Sequence, residues 1–301
     1  MEMVMGKNRP DVFILNTIGY FTTGCVAFFC LTPFILILSA SFSQEQAILR
    51  DGFSILPRNF SLDAYATVFE KPEIIGRAYL VTTFLTITGT LMGLLITSMT
   101  GYVLQRKDFE WRNRFSFMFY FTTLFSGGLV PYYILMIRYL RLKDSYLALL
   151  LPLLFNVFNL IIMKSYMSGI PIAFTEAAII DGCGDFSIYF KIMLPLSKPV
   201  LATVGLFIAL TYWNDWYSSM LYINDESKYT LQYFLYERIN NIEAYKKIIA
   251  QSGGQFGSII ELPTQTLRMA LTVVVTGPIV LAYPFAQKYF VKGITIGAIK
   301  G

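Results

Sequence analysis

Six stretches of this chain carry no Asp, Glu, Lys or Arg: residues 12–44, 78–105, 115–137, 145–163, 199–214 and 269–287. A helix needs about 20 apolar residues to cross the hydrocarbon core of a bilayer. Five stretches meet or approach that length, and the fifth in order is cut short by Asp215. Continuing it through 216–224 restores a spanning length. The pattern predicts an all-α integral membrane protein of six transmembrane helices, over about 14–40, 78–104, 115–137, 145–164, 199–221 and 267–287. All 301 residues then form a single transmembrane domain, 1–301. Charge content agrees: 14% of residues are charged, where soluble domains carry nearer a quarter.

Several function classes lack their residues. Lys7 and Arg9 before the first window resemble the start of a signal peptide, but the window is too long for a signal core and no small-x-small site follows. A retained first helix is expected. Cys25, Cys30 and Cys183 form no CxxC, and an odd count gives no disulfide framework. Histidine is absent, which removes the commonest metal ligand and general base. No metal site is expected. A membrane-embedded enzyme would need paired acids, a metal cluster or a nucleophile with its base, and none stands at usable spacing. Gly253-Gly254-Gln255-Phe256-Gly257 lacks the Gly-x4-Gly-Lys-Ser/Thr spacing of a P-loop, so ATP binding by this chain is not expected. The net charge of +5 fits basic residues that flank spans and meet anionic lipid headgroups, and nucleic acid is not an expected partner.

An even number of spans puts both termini on one side. Lys and Arg hardly discriminate between the sides, at twelve against eleven. The compact cluster Arg106, Lys107, Arg112, Arg114 is the best local signal and places its loop in the cytoplasm. Loop 41–77 reads as partly ordered, with a short helix on the outer surface. Loop 217–262 reads as the longest connection, with a flexible turn region around Gly253–Gly257. Ser126-Gly127-Gly128-Leu129-Val130-Pro131 interrupts the third span. Close helix packing through small residues and a kink beside a pore both remain open for Gly127 and Gly128.

The interval between the fourth and fifth spans is polar and flexible. Pro171 ends the preceding helix, Thr175 suits an N-cap, and Glu176 suits the first helical turn, where a carboxylate meets the positive end of the dipole. Ala177 and Ala178 keep one flank thin. Gly182 and Gly184 allow a reversal that a Cβ would resist. Phe186, Tyr189, Phe190 and Met193 then recur at i, i+3, i+4 and i+7, predicting an amphipathic helix closed by Pro195 and Pro199. A connection of this kind is either a solvated linker or a docking surface for another protein. In the fifth span, Trp213 and Trp216 flank Asn214 and Asp215. Aromatic faces suit sugar C–H faces, and the two polar side chains suit hydroxyls. The competing reading has the two Trp as interface anchors and Asp215 as a structural cap; structure or gating is favoured over direct sugar contact.

Glu176-Ala177-Ala178, the following Asp181-Gly182, and Ile192-x-Leu194-Pro195 together resemble the EAA loop of permease subunits of ATP-binding-cassette (ABC) importers. The six-span layout and Tyr212-Trp213-Asn214-Asp215-Trp216 are similar to the second permease of the maltose-type carbohydrate family. Tyr222-Ile223-Asn224-Asp225, Thr230-Leu231-Gln232, and the run from Tyr283 to Gly293 with Gly297–Gly301 extend the match. Ser126-Gly127-Gly128 suggests the branch linked to complex oligosaccharide uptake. The resemblance implies the type I importer permease fold and a cytoplasmic coupling loop over 167–198. It implies a bacterial cell membrane location with both termini cytoplasmic, a heterodimer with a second permease, two ATP-binding subunits that hold ATP and Mg, and an extracellular solute-binding lipoprotein. The loop, through Glu176, Ala177, Ala178, Asp181, Gly182, Ile192, Leu194 and Pro195, would couple to an ATPase subunit. Trp213, Asn214, Asp215, Trp216, Gly127 and Gly128 would serve the substrate pathway or gating. A permease for peptides or amino acids would share the loop and remains the alternative.

Overall fold

The computed structural model describes residues 10–251 and 265–280, which form helices and turns with no strand beyond an isolated Ser43–Phe60 bridge. The helices are α1 (Pro10–Ser41), α2 (Glu45–Asp51), α3 (Asp63–Val68), α4 (Pro72–Gln105), α5 (Arg112–Leu124), α6 (Leu129–Ile134), α7 (Tyr146–Leu150), α8 (Val157–Ser168), α9 (Ala173–Ile180), α10 (Asp185–Ile188), α11 (Leu194–Leu196), α12 (Lys198–Trp213), α13 (Tyr217–Tyr222), α14 (Leu231–Gln251) and α15 (Gln265–Val280). Two π-turns, Leu135–Tyr139 and Tyr189–Met193, carry on α6 and α10. The run from Tyr283, the Gly253–Gly257 stretch and the end of the 267–287 span lie outside the described residues.

Two helical stretches, Phe13–Ser41 and Pro72–Gln105, are long and apolar enough to cross a membrane unbroken. α4 starts with Pro72 inside its first turn, where its missing N–H costs nothing, and Glu73 there suits the dipole. The spans predicted over 115–137, 145–164 and 199–221 are each interrupted, the first where a kink at Gly127 and Gly128 is one of the two sequence readings. α5 and α6 bend by 111° at 125–128, where Gly128 takes φ +86°. The chain bends by 47° before α8, where the side-chain Oδ1 of Asn156 accepts from Phe158 N at 2.8 Å and starts a new helix. α12 stops at Trp213 because Asp215 turns its carboxylate onto Ser218 N at 3.1 Å, beginning α13. Pro195 does not close the amphipathic helix. It sits inside the first turn of α11, directly after a π-turn, and the break falls at Ser197 with an 83° bend into α12. The connection 217–262 was expected to be loop, yet α14 fills much of it as a helix.

The chain divides into two units, one of residues 1–70 with 242–276 and one of 71–241 with the chain from 277. In the first, Phe42 stacks against Phe60 and Tyr65, with centroids at 5.8 and 5.0 Å, and Ser41 Oγ meets Tyr65 Oη at 2.8 Å. The Glu45 carboxylate accepts from Gln265 N at 2.9 Å and from Thr266 N at 2.8 Å, satisfying amides at the start of α15.

The second unit is built on α4 against α8 and α12, with Val81, Leu85, Met163, Val204, Ile208 and Tyr212 buried between them. Close approach requires glycine on α4. A Cβ at Gly89 would lie 2.2 Å from the Tyr212 ring, and one at Gly101 would lie 2.9 Å from Met163. Without a hydrophobic drive between helices in lipid, such small-residue contacts let backbones gain dispersion. The Tyr212 ring is held in turn by its hydroxyl, which donates to Leu150 O at 2.7 Å.

Candidate functional site

α9 begins at Ala173, so Thr175 lies inside its first turn and is not the N-cap expected for it; Glu176 remains in that turn. The helix ends in a Schellman motif: Gly182 N donates to Ile179 O at 3.0 Å and Cys183 N to Ala178 O at 2.9 Å. Gly182 takes φ +75°, a left-handed conformation that costs an L-residue about 1–2 kcal/mol. Gly184 does not share this need, with φ −75° and ψ 162°. Asp181 is the exposed residue immediately before the turn.

The helix after the turn buries a different stripe from the one its spacing predicts. Ile188, Tyr189 and Met193 are buried, whereas Phe186 and Phe190 are exposed. The π-turn over Tyr189–Met193 widens the helix and shifts its face by a residue. Ile192 and Leu194 are half-buried and pack on the core, and Pro195 is exposed. Ala178 packs into the same core while Ala177 faces out, so the two alanines of the loop have opposite surroundings. Tyr189 Oη meets Ser98 Oγ of α4 at 2.7 Å.

A braced element thus presents a bare surface. Ile172, Phe174, Ile179 and Phe186 are exposed, and Ile180 is 85% exposed. Glu176 stands exposed among them, and its carboxylate has no partner among the described residues. An apolar patch that surrounds the unpartnered Glu176 carboxylate suits docking. Among the described residues, no three His, Cys, Asp or Glu side chains are placed to hold a metal ion.

Arg106, in the turn after α4, joins Asp108 to Asp185 at the start of α10 through ion pairs. Its Nε also donates to Asp108 Oδ1 at 2.9 Å. The Arg106 guanidinium holds the Asp108 carboxyl below the usual carboxylate range. Sequence reasoning read Arg106 only as a topology signal; its partner Asp185 lies 79 residues away and no local pattern reveals it.

Around Asp215, geometry is structural. Besides the Ser218 bond, its carbonyl accepts from Thr230 Oγ1 at 2.9 Å. Thr230 N donates to Ser219 Oγ at 3.3 Å, and Leu231 N to the buried Thr82 Oγ1 at 2.8 Å. Asn214 is exposed, and its Nδ2 donates to Leu210 O at 2.9 Å. Trp216 stacks on Tyr236 at 4.6 Å. Trp213 is half-buried, and its enclosed Nε1 has no acceptor among the described residues. The structure brings Trp213, Asn214, Asp215 and Trp216 together at the end of α12. Gly127 and Gly128 form the separate break between α5 and α6, where a Cβ would meet nothing within 4 Å, so no close packing among the described residues explains them.

Asp144 is a residue that sequence reasoning passed over. It sits at φ +55°, and its Oδ1 accepts from Asn224 N and from Asp225 N, the latter at 3.0 Å, while Lys228 Nζ donates to its carbonyl at 2.8 Å. Two connections are thereby tied together. The backbone amides hold the Asp144 carboxyl below its ordinary range. A depressed folded-state value stabilises above the unfolded value of about 3.9, and the contribution is lost as pH falls through the folded value. Asp144→Ala is expected to raise hydrogen exchange at the Asn224 and Asp225 amides about tenfold at neutral pH, with the difference from the parent chain vanishing in acid. Unchanged exchange at neutral pH would contradict this.

No family model matches the chain. The polygalacturonan/rhamnogalacturonan transport system permease protein YtcP of Bacillus subtilis (strain 168) is 42% identical over 281 residues, spanning 91% of this chain and 94% of that protein. The arabinooligosaccharides transport system permease protein AraQ of Halalkalibacterium halodurans is 28% identical, over 98% of this chain and 99% of that protein. A chain in the crystal structure of a bacterial ABC transporter involved in the import of the acidic polysaccharide alginate matches with TM-score 0.80 and 29% identity, over 94% of this chain and 99% of that one.

Proposed function

Since the chain belongs to the family of permease subunits of sugar ABC transport systems, we propose that it forms one half of an importer pore and moves an oligosaccharide through it. The observation that carries this is the bare face of α9 and α10, with Glu176 exposed on an element braced from behind. α9 serves as the coupling helix, seated in an ATPase subunit that binds ATP and Mg. Closure of the ATPase dimer moves the loop 167–198, and the pore alternates between inward-facing and outward-facing states. An extracellular solute-binding lipoprotein supplies the sugar, and a second permease completes the pore. The chain itself does no bond chemistry.

Two long helices and three bent pairs are apolar enough for up to five crossings; in this reading the shorter apolar helix from Gln265 is the sixth, and the loop and both termini are cytoplasmic. Irregular backbone at membrane depth persists only where protein covers it or where it lines a wet cavity. The α5–α6 break at Gly127 and Gly128 therefore faces the pore or the second permease, which supports a pathway or gating role. Asp215 has the structural task its bonds describe, and the enclosed Trp213 Nε1 awaits an acceptor from outside the described residues.

The test is reconstitution of the chain with its second permease, ATPase subunits and binding protein. Oligosaccharides from galacturonan, rhamnogalacturonan or alginate are expected to raise ATP hydrolysis several-fold, and peptides or amino acids to leave it at the basal rate. Stimulation by peptides alone would replace the sugar reading with the alternative, and failure to bind any ATPase subunit would remove the coupling role.

A further inference from the structure

A cleft of about 610 Å³ opens where α4, α5 and α8 end beside α9. Its charged lining is Arg106, Lys107, Arg112, Lys164, Asp108 and Glu176. Arg106 is paired with both Asp108 and Asp185, which leaves that trio one negative charge. Lys107, Arg112 and Lys164 outnumber this charge and the Glu176 carboxylate together by one. Lys164 Nζ donates only to a hydroxyl, Ser116 Oγ at 2.9 Å, and neither Lys107 nor Arg112 has a carboxylate partner among the described residues.

The cleft adjoins an apolar groove. Leu104 lines both, and from it a second hollow of about 300 Å³ runs between α4 and α5, along Met99, Val103, Phe115 and Phe119. Beside the cleft, Trp111 is half exposed and carries the Arg114 guanidinium over its ring at 4.6 Å, an arrangement suited to the boundary between headgroups and acyl chains. A soluble phosphate ester would satisfy the cations and leave the groove empty. A molecule with an anionic phosphate and an acyl chain fits both, because cations at the end of a span attract anionic headgroups and the groove offers apolar wall.

We infer that this cleft and groove together bind an anionic phospholipid, its phosphate on Lys107, Arg112 and Lys164 and one acyl chain between α4 and α5. Thr175, Glu176 and Ile179 of α9 line the same cleft, so the lipid touches the helix proposed to couple to the ATPase. That last link rests on the coupling role of α9; the lipid site itself does not.

The experiment purifies the complete importer in detergent, adds phosphatidylglycerol or phosphatidylcholine, and counts retained lipid by native mass spectrometry. Each cation near the headgroup is worth about fivefold in retention, so Lys107→Gln with Arg112→Gln is expected to lower phosphatidylglycerol retention roughly 25-fold while leaving phosphatidylcholine unchanged. Glycerol 3-phosphate is expected not to displace the lipid. Should the double variant fail to assemble, Lys107→Gln alone, at an exposed position, is expected to show about a fivefold loss. Undiminished phosphatidylglycerol retention by the variant overturns the site, and displacement by glycerol 3-phosphate overturns the lipid in favour of a soluble phosphate. Sugar-stimulated ATP hydrolysis in phosphatidylcholine, measured in parallel, reports on the transporter reading separately, so either can fail without the other.

Discussion

Glu176→Lys is expected to lower sugar-stimulated ATP hydrolysis by the assembled importer about a hundredfold or more, with the chain still inserted and paired with its second permease. The size follows from reversing a charge at an interface, where losing one member of a close charge pair costs about 2–5 kcal/mol and a like charge adds repulsion. The selectivity follows from exposure: Glu176 touches no described partner within the chain, so its replacement removes no internal bond. The internal costs are a lysine in the first turn of α9, against the dipole, at about 0.3–1 kcal/mol, and its repulsion from Lys107, Arg112 and Lys164, which line the same cleft as position 176. Glu176→Gln should fall between the two, because it removes charge without inverting it. The measurement pairs ATPase subunit stoichiometry in the purified complex with thermal stability. Wild-type hydrolysis by Glu176→Lys would count against α9 as the coupling helix, and loss of stability with normal subunit binding would make Glu176 a folding residue.

The second large effect lies in the membrane. Gly89→Ala is expected to destabilise the α4–α12 contact by about 1–3 kcal/mol, a large share of the margin of a marginally stable fold. A Cβ at Gly89 would stand 2.2 Å from Tyr212, whose ring is 2% exposed and tethered to Leu150 O. Either the helices separate, at about 1–3 kcal/mol for overpacking, or the ring leaves and strands the carbonyl, at about 1–3 kcal/mol more. Gly76→Ala on the same helix is the control, since nothing lies within 4 Å of its Cβ and alanine is the better helix former by about 1 kcal/mol. Gly89→Ala combined with Tyr212→Ala should recover part of the loss. Absence of recovery in a purified-protein melting experiment would mean that the clash is not the cause.

What the sequence revealed was local. The helix, turn and helix around Gly182 were legible because a left-handed C-cap and its flanking periodicity are written within about a dozen residues. The exposure of Phe186 and Phe190 was not, because a stripe drawn at 3.6 residues per turn fails where the backbone widens into a π-turn. The bent pairs were half legible: Gly128 and Asp215 announced breaks, but Asn156 reads as an ordinary polar residue until its side chain is seen capping α8. Gly89 and Gly93 stood four apart in a charge-free window, a usable packing signal that charge counting overlooked. Glu45, Asp144 and Arg106 work through partners 220, 80 and 79 residues away, and pairing at that distance leaves no periodic trace.

The docking element is pinned at two points, to α4 by Ser98 to Tyr189 and to the turn at the end of α4 by Arg106 to Asp185. A body held at one point can swivel, and a push on it is lost as rotation in place. A body held at two points along the same shaft transmits torque. On the coupling role proposed for α9, force applied at Ile180 and its neighbours is expected to reach the long helix through both ties, with α4 as the crank.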